Sequence, residues 1–590
     1  MYKKEDVQKA ASDYFNGDNL AANVWIDKYA LRDKEGKLLE LTPDDMYVRL
    51  TKEFSRIEQK YPNPLSYEEI YNLLKDNIIL PGGSLLYGIG NDYSYSTLGN
   101  CFVIGSKSDS YGGICQTDEE QVQLMKRRGG VGHDLSHLRS KGSPTTNSAK
   151  TSSGIVPFME RYSNSTREVA QDGRRGALML TLDVNHPEIE NFVTAKNDLT
   201  KVTGANISVK VDDNFMNIAA HRDSYSLIFP EHKLWDKLIH QAWKTAEPGV
   251  LFWDTIKRES ISSCYGPDWQ EVSTNPCGEI PLPSYDSCRL LSVNLTKVVT
   301  NPFTKDATID WDKLAEYTYK AQRLMDDVID LEDEKIKRIL IKINEDPEPD
   351  EIKRTERILW QKIQTKLLNG RRTGLSAIGL GDMLAMLSLP YGEDSSINLV
   401  DEVYKQFAVN AYKSSIDMAK ERGAFPIWDY ELEKDNPFIN RIFDSFEDAH
   451  YRGVSLVFGR RNIAILTIPP SGTISLLAGI SSGIEPVYQL SYKRRRKVDE
   501  NHPNKSFQDK NGDWWEEYLV LHSKFKEWYE VVYGNEYDIE VTYFNYDRLI
   551  KESPYYGSTA YELNPLDRVK MQGAIQKWVD HSINYCALVA

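Results

Sequence analysis

The pattern of apolar and polar positions divides the chain into a helical opening and a longer body of alternating strands and helices. Residues 1 to about 78 carry helical spacing. Thr42-Pro43-Asp44-Asp45 is a helix start, with a capping hydroxyl, proline at the first position and acids at the positive end. Ser66-Tyr67-Glu68-Glu69 is a capping box ahead of an apolar run. Beyond it, LGNCFVIG (Leu98 to Gly105) predicts a short strand holding Cys101, and LLSVNL (Leu290 to Leu295) predicts a buried strand just after Cys288. Residues 311 to 368 are charged with helical periodicity, broken by EDPEPDE (Glu345 to Glu351), an exposed turn. RRTGLSAIGLGDMLAMLSLPYG, from Arg371, predicts a strand, a turn and a helix. AILTI predicts a buried strand that Pro469-Pro470 ends, and RVKMQGAIQKWVDHSIN (Arg568 to Asn584) predicts an amphipathic helix. Strands alternating with helices place the body in the α/β class.

Composition mainly excludes. The 590 residues are 41% hydrophobic and 27% charged, ordinary for a soluble chain with more than one domain's worth of core. A formal charge of -15 argues against a general nucleic-acid binder. The basic run Lys493-Arg494-Arg495-Arg496-Lys497 predicts a solvated or anion-contacting edge. No apolar run approaches a membrane span, and MYKKEDVQKA lacks a signal-peptide core. Six cysteines (101, 115, 264, 277, 288 and 586) are too few for a disulfide scaffold, and no spacing of Cys and His predicts a metal site. A reducing, cytoplasmic setting is the expectation, where a thiol pair is more often redox-active than structural.

Three stretches carry candidate chemistry. Pro276 predicts an extended Asn275-Pro276-Cys277-Gly278-Glu279, and alternation then sets Asn275, Cys277 and Glu279 on one face. LPGGSLLYGIG, from Leu80, is a glycine-rich loop whose amides suit a phosphate. Ser471-Gly472-Thr473-Ile474-Ser475 enters a helix after the two prolines, and free amides with hydroxyls there make an anion cradle. It is not a Walker loop, because Gly-Lys is missing. Each stretch alone also reads blandly: a core cysteine, a glycine turn, a serine-capped helix.

NPCGE followed by SCxLxSxNL resembles the active-site finger loop of the ribonucleotide reductase large, or catalytic, subunit. Further likeness runs in order from LAANVWIDKYAL at Leu20 to about Asn584. The resemblance implies a ten-stranded α/β barrel with an internal finger loop over residues 79–590. A helical region over 1–78 would precede it, without the family's ATP-cone module. It implies a thiyl radical on Cys277 that removes the 3′ hydrogen of a ribonucleotide, Glu279 as general base on the 3′ hydroxyl, and Asn275 orienting hydroxyls. Cys101 and Cys288 would supply a proton and two electrons and end as a disulfide. Ser471, Gly472, Thr473, Ile474 and Ser475 would hold the substrate's di- or triphosphate, with Ser84 and Gly278 also at the substrate.

In the same resemblance Asp109 and Arg139 bind a deoxynucleotide or ATP effector. Arg174 and Arg175, in QDGRRGALML, are both candidates for relaying it. The implied partners are thioredoxin or glutaredoxin and a second copy of the chain. NPCGE looks closer to the class II enzymes, which use adenosylcobalamin. The alternative is class I, with no cofactor in this chain and a radical from a dinuclear-metal partner subunit. The likeness stops where the family continues with a last strand and often a cysteine-bearing tail. The expectation is a split, truncated or interrupted chain, with a complementary C-terminal chain or an insertion beginning at Cys586. Two other classes remain: an inert nucleotide-binding fragment, and a glycyl-radical enzyme on a related barrel, for which no glycyl loop is visible.

Overall fold

The computed structural model describes every residue except 106, 170, 172–175, 222–229, 499, 501–504, 511, 535–545 and 585–590. Two sheets organise it. The first holds six strands in the order β6-β5-β4-β3-β2-β9. They are β2 (Cys101–Val103), β3 (Gly130–Asp134), β4 (Leu178–Asp183), β5 (Asn206–Val211), β6 (Gly249–Phe252) and β9 (Ser287–Cys288). β2 to β6 run parallel and β9 is antiparallel to β2. Aliphatic residues dominate β4 and β5, as expected of parallel strands covered on both faces. Their core includes Phe102, Val131, Leu180 and Val209, packed against Leu359, Trp360 and Ile363 of the helix Asp350–Gly370.

The second sheet begins with β1 (Ile79–Pro81), antiparallel to β10 (Leu290–Asn294), which is parallel to β13 (Gly374–Ile378). Two parallel bridges, Leu375 with Leu466 and Ile468 with Ile583, extend it. AILTI is thus buried and sheet-bound but is no full strand. The amides of Ile465 and Leu466 donate to the Asp580 carboxylate, both at 2.7 Å, and are lost to a ladder. The C-terminal helix ends at Gln576, earlier than its periodicity predicts, because residues 581–584 are drawn into this edge.

The helix Trp311–Glu345 serves both halves. Its Leu324 and Val328 lie in the core of the second sheet, with Trp25, Leu50 and Leu74 of the N-terminal helices. Its Ile336 and Ile339 lie in the core of the first. Both predicted helix starts are capping boxes, at Thr42 and Ser66. The glycine-rich stretch is a strand end and a short helix, Gly83–Gly88, rather than a loop. The basic run lies on β14 (Ser491–Val498), at the edge of a three-stranded sheet with β15 (Phe507–Gln508) and β16 (Trp514–Leu521). There Lys493 and Arg495 pair with Glu517, each at 3.0 Å. A small hairpin, β11 (Val299–Thr300) with β12 (Thr308–Ile309), precedes the long helix. No helix among the described residues is long and apolar enough to cross a membrane.

One residue joins the sheets. β9 and β10 are separated only by Arg289, which is fully buried. Its guanidinium donates to Ser287 O at 3.2 Å and Ser287 Oγ at 2.8 Å, and stands 3.6 Å from Glu332.

Candidate active site

Residues 275–280 form the tip of a hairpin between β7 (Ser273–Thr274) and β8 (Pro281–Leu282). The extended loop that Pro276 predicts is instead a tight turn, closed by Gly278 N–H donating to Asn275 O at 3.0 Å. Proline at the second position and glycine at the fourth suit such a turn as well as they suit an extended strand, and Gly278 adopts φ +86°. The side chains therefore do not alternate. Asn275 and Glu279 are buried, while Cys277 is half-buried.

The hairpin is held from both sheets. On the first, Ser273 Oγ and Thr181 Oγ1 share a hydrogen bond of 2.9 Å, and Asn206 Nδ2 donates to Pro276 O at 2.8 Å. On the second, Thr467 Oγ1 and Ser582 N–H donate to Glu279 O at 3.0 and 2.9 Å, and Asn584 Nδ2 donates to Cys277 O at 2.6 Å. Glycines at alternate positions of β3 clear the seat. A Cβ on Gly132 would stand 1.8 Å from Thr274 O, and one on Gly130 would stand 3.0 Å from Pro276 Cγ and 3.5 Å from Cys101 Sγ. Cys101 thus lies beside the residue that precedes Cys277.

Cys101 and Cys288 face each other directly across β2 and β9. Facing residues in an antiparallel pair have Cα atoms roughly 4.5–5.5 Å apart, inside the disulfide range of roughly 4.4–6.8 Å. Neither is in a disulfide, and both are buried. Burial pushes the Cys288 thiol well up; Arg289 and Arg372 oppose that rise, and Glu279 and Cys101 add to it. Its sulfur packs on Gly374, where a Cβ would stand 2.3 Å away.

Burial also pushes the Glu279 carboxyl up to about 7, with Asn275 pulling the other way. Glu279 Oε2, Asn275 Nδ2 and Thr274 Oγ1 are buried without a hydrogen-bond partner, and so are Ser84 Oγ and Asn100 Oδ1. Buried polar atoms are normally paired, so the three on the hairpin itself are candidates to meet a polar ligand.

The helix Gly472–Ala478 opens at Ser471, as expected. Ser471 Oγ does not cap it. That oxygen accepts from Gly483 N–H at 2.8 Å and bonds Ser482 Oγ at 3.1 Å, which leaves the first-turn amides without a side-chain cap. Ser475 Oγ donates back to Gly472 O at 2.9 Å, and Ile474 is buried. Thr473 Oγ1 bonds Tyr29 OH at 2.6 Å, and Tyr29 OH would meet a Cβ on Gly83 at 3.2 Å. Tyr29 therefore ties the Ser471–Ser475 segment to the Gly83–Gly88 helix that carries Ser84. Tyr29→Phe is expected to raise KM for a phosphorylated ligand several-fold while kcat changes little, the signature of lost uniform binding; an unchanged KM would dissolve that link.

Asp109 and Arg139 form an ion pair with each other, and Arg139 also donates to Pro144 O at 3.0 Å and Asp109 O at 3.2 Å. Arg174 and Arg175 lie outside the described residues, as does Cys586. Among the described residues no three His, Cys, Asp or Glu side chains form a group that could hold a metal ion. The sequence reading missed Asn206, Thr467, Ser582, Asn584 and Tyr29, which have no local signature. The GVG of β3 does carry a signal, since glycines two apart in a strand mark close backbone approach on one face.

The sequence matches the family described as "Ribonucleotide reductase, barrel domain" over residues 99–234 and 229–587. It is 31% identical over 533 residues to the "Vitamin B12-dependent ribonucleoside-diphosphate reductase" of Thermoplasma acidophilum, covering 88% of this chain and 60% of that one. It is 30% identical over 490 residues to the protein of that name from Mycobacterium tuberculosis, covering 80% and 62%. The "Ribonucleoside-diphosphate reductase large chain" of Encephalitozoon cuniculi is 23% identical over 519 residues, covering 79% and 62%. The chain thus spans about three fifths of the length of these curated relatives. A family match over nearly all of the chain beyond residue 99, and two relatives at this identity, converge with a cysteine pair set beside a clamped hairpin: the chain belongs to the ribonucleotide reductase family and carries its barrel domain.

Proposed function

We propose that the chain is the catalytic body of an enzyme that reduces ribonucleoside di- or triphosphates to 2′-deoxyribonucleotides, with oxidation of the Cys101–Cys288 pair. The observation that carries this is the facing of those two thiols beside the hairpin bearing Asn275, Cys277 and Glu279. The relatives' names favour the diphosphate as substrate. In this reading residues 79–590 belong to the ten-stranded barrel, 1–78 are a helical region before it, and the hairpin is its finger loop.

Cys277, the least buried of the three thiols, removes the 3′ hydrogen as a thiyl. S–H and activated C–H bonds are close in strength, so that transfer is nearly balanced. Glu279, buried and pushed up to about 7, takes the proton of the 3′ hydroxyl. Asn275 Nδ2 orients a hydroxyl. Cys101 and Cys288 deliver two protons and two electrons, one proton leaving with the 2′ hydroxyl as water and the other ending on the 2′ carbon, and close as a disulfide, which a thioredoxin-type dithiol reopens. Ser471 to Ser475 hold the phosphates, with Ser84 and Gly278 at the substrate. Asp109 and Arg139, already side by side, grip a nucleotide effector, and a second copy of the chain completes the assembly.

The relatives' names favour adenosylcobalamin as the radical source. On the chain the fit rests on Cys277, whose half-buried place at the hairpin tip leaves one side open to such a group while the other two sulfurs are enclosed. When bound, adenosylcobalamin supplies the one-electron chemistry that leaves the radical on Cys277. The test is deoxynucleotide formation by the full-length protein with a dithiol reductant and adenosylcobalamin, with and without the cofactor. Turnover only on its addition is expected. Turnover only with a metal-bearing partner protein moves the radical source to class I, and no product under either condition leaves the inert-fragment reading.

Glu279 sets the pH dependence. As general base it works deprotonated, so kcat is expected to rise through about pH 7. Its carboxyl is raised from 4.5, so the folded state favours the acid form. Stability from this group is complete below about pH 4.5 and falls as pH rises through about 7. Glu279→Gln should flatten both profiles; an unchanged kcat profile would remove Glu279 as the base.

A further inference from the structure

Two buried cations lie in electrostatic range of the Cys288 sulfur, Arg289 and Arg372, and they are held differently. The Arg289 charge faces Glu332 at 3.6 Å, with both side chains fully buried. Arg372 is 2% exposed. Its Nε donates to Asp286 Oδ2 at 2.8 Å and its Nη1 bonds His581 Nε2 at 2.9 Å, while Nη2 is buried without a partner. The His581 Nδ1 bonds Leu466 O at 2.6 Å. Asp580 Oδ1 also lies 3.2 Å from that Nδ1. Two residues on from Arg372, Gly374 touches the Cys288 sulfur. The arginine is thus fixed by one carboxylate and one imidazole at the root of the strand on which that sulfur rests. The other titratable groups in range of Cys288 are Glu279 and Cys101, and Glu271 is in range of Arg372.

We propose that Arg372 is a positioning residue for the redox cycle: it makes Cys288 the leaving sulfur when an external dithiol reopens the Cys101–Cys288 disulfide. This rests on the function proposed above. Cys101 is 4% exposed and Cys288 is 0% exposed, so the reductant's thiolate attacks Cys101 Sγ. The S–S bond breaks and its electron pair leaves on Cys288 Sγ, within range of the Arg372 charge. A mixed disulfide then joins Cys101 to the reductant. The reductant's second thiolate displaces Cys101 and closes the reductant's own disulfide. The two protons lost by the dithiol end on Cys101 and Cys288, so one disulfide is exchanged for another with no other reactant. A stabilised leaving thiolate leaves faster.

The test needs no turnover. The full-length protein is oxidised with diamide, then reduced with dithiothreitol, and the return of the two thiols is followed by mass spectrometry across pH. An opposite charge within reach moves a thiol by one or more pKa units, so Arg372→Gln is expected to slow reduction about tenfold at neutral pH. Arg372→Lys should restore most of the rate. Asp286→Asn frees the guanidinium from its counter-charge and should speed reduction, a sign that a merely structural role would not give. The double variant D286N/R372Q leaves no buried charge unpaired and should be slow yet folded. Equal rates and pH profiles in wild type and the double variant would overturn the proposal, as would slower reduction in Asp286→Asn. If turnover is normal and the rates do not move, this inference alone falls. If turnover leaves no Cys101–Cys288 disulfide, the proposed function falls with it.

Discussion

A Cys277→Ser protein is expected to bind nucleotide normally and form no deoxynucleotide. The hydroxyl is close to the thiol in shape, so the hairpin and its anchors at Asn206 and Asn584, which grip backbone carbonyls, are undisturbed. What is lost is the match of bond strengths. An O–H bond is far stronger than S–H, and a serine cannot share a hydrogen reversibly with a ribose carbon. Release of tritium from the 3′ position, scored beside product formation, isolates the step. Cys288→Ser makes the useful contrast: it keeps the radical site and removes the electron pair, so it should release tritium yet fail to turn over repeatedly. Repeated turnover by Cys277→Ser would end the assignment of this thiol.

Gly132→Ala is expected to cost as much without touching a reacting group. Its Cβ would stand 1.8 Å from the Thr274 carbonyl oxygen, and that obstacle is backbone, not a side chain that can swing away. The hairpin must lift from β3 or the strand must bend. Overpacking costs of this kind run to about 3 kcal/mol or more, and a site displaced by about 1 Å loses roughly 10²-fold in rate. Gly573→Ala, on the helix Pro565–Gln576, is the matched control. Nothing lies within 4 Å of its Cβ, and there alanine should stabilise by about 0.5–1 kcal/mol. Denaturant unfolding and kcat, measured on both, decide the case; a Gly132→Ala enzyme with wild-type kcat would show that the hairpin is not seated on β3.

The pairing of Cys101 with Cys288 was legible early only through the resemblance carried by NPCGE and SCxLxSxNL. LGNCFVIG and LLSVNL gave their strands through apolar runs, and the structure pairs Cys101 with Cys288 in register. The tip at Asn275–Glu279 was misjudged because proline serves extended chain and turn alike. What selects the turn is the pairing of Ser273–Thr274 with Pro281–Leu282, a contact that local spacing does not encode. AILTI failed as a strand for a similar reason: a carboxylate more than a hundred residues away takes its amides. The anchors of the hairpin are single polar residues on separate elements, visible only once the two sheets are assembled.

The seam at Arg289 has a mechanical consequence. Two β-sheets in one molecule are usually joined by loops with slack, which lets one tilt against the other. Here a single peptide run belongs to both, and its one intervening side chain is pinned by its own neighbours. At that boundary the two sheets are coupled through one residue, so relative movement between them is expected to concentrate along other margins.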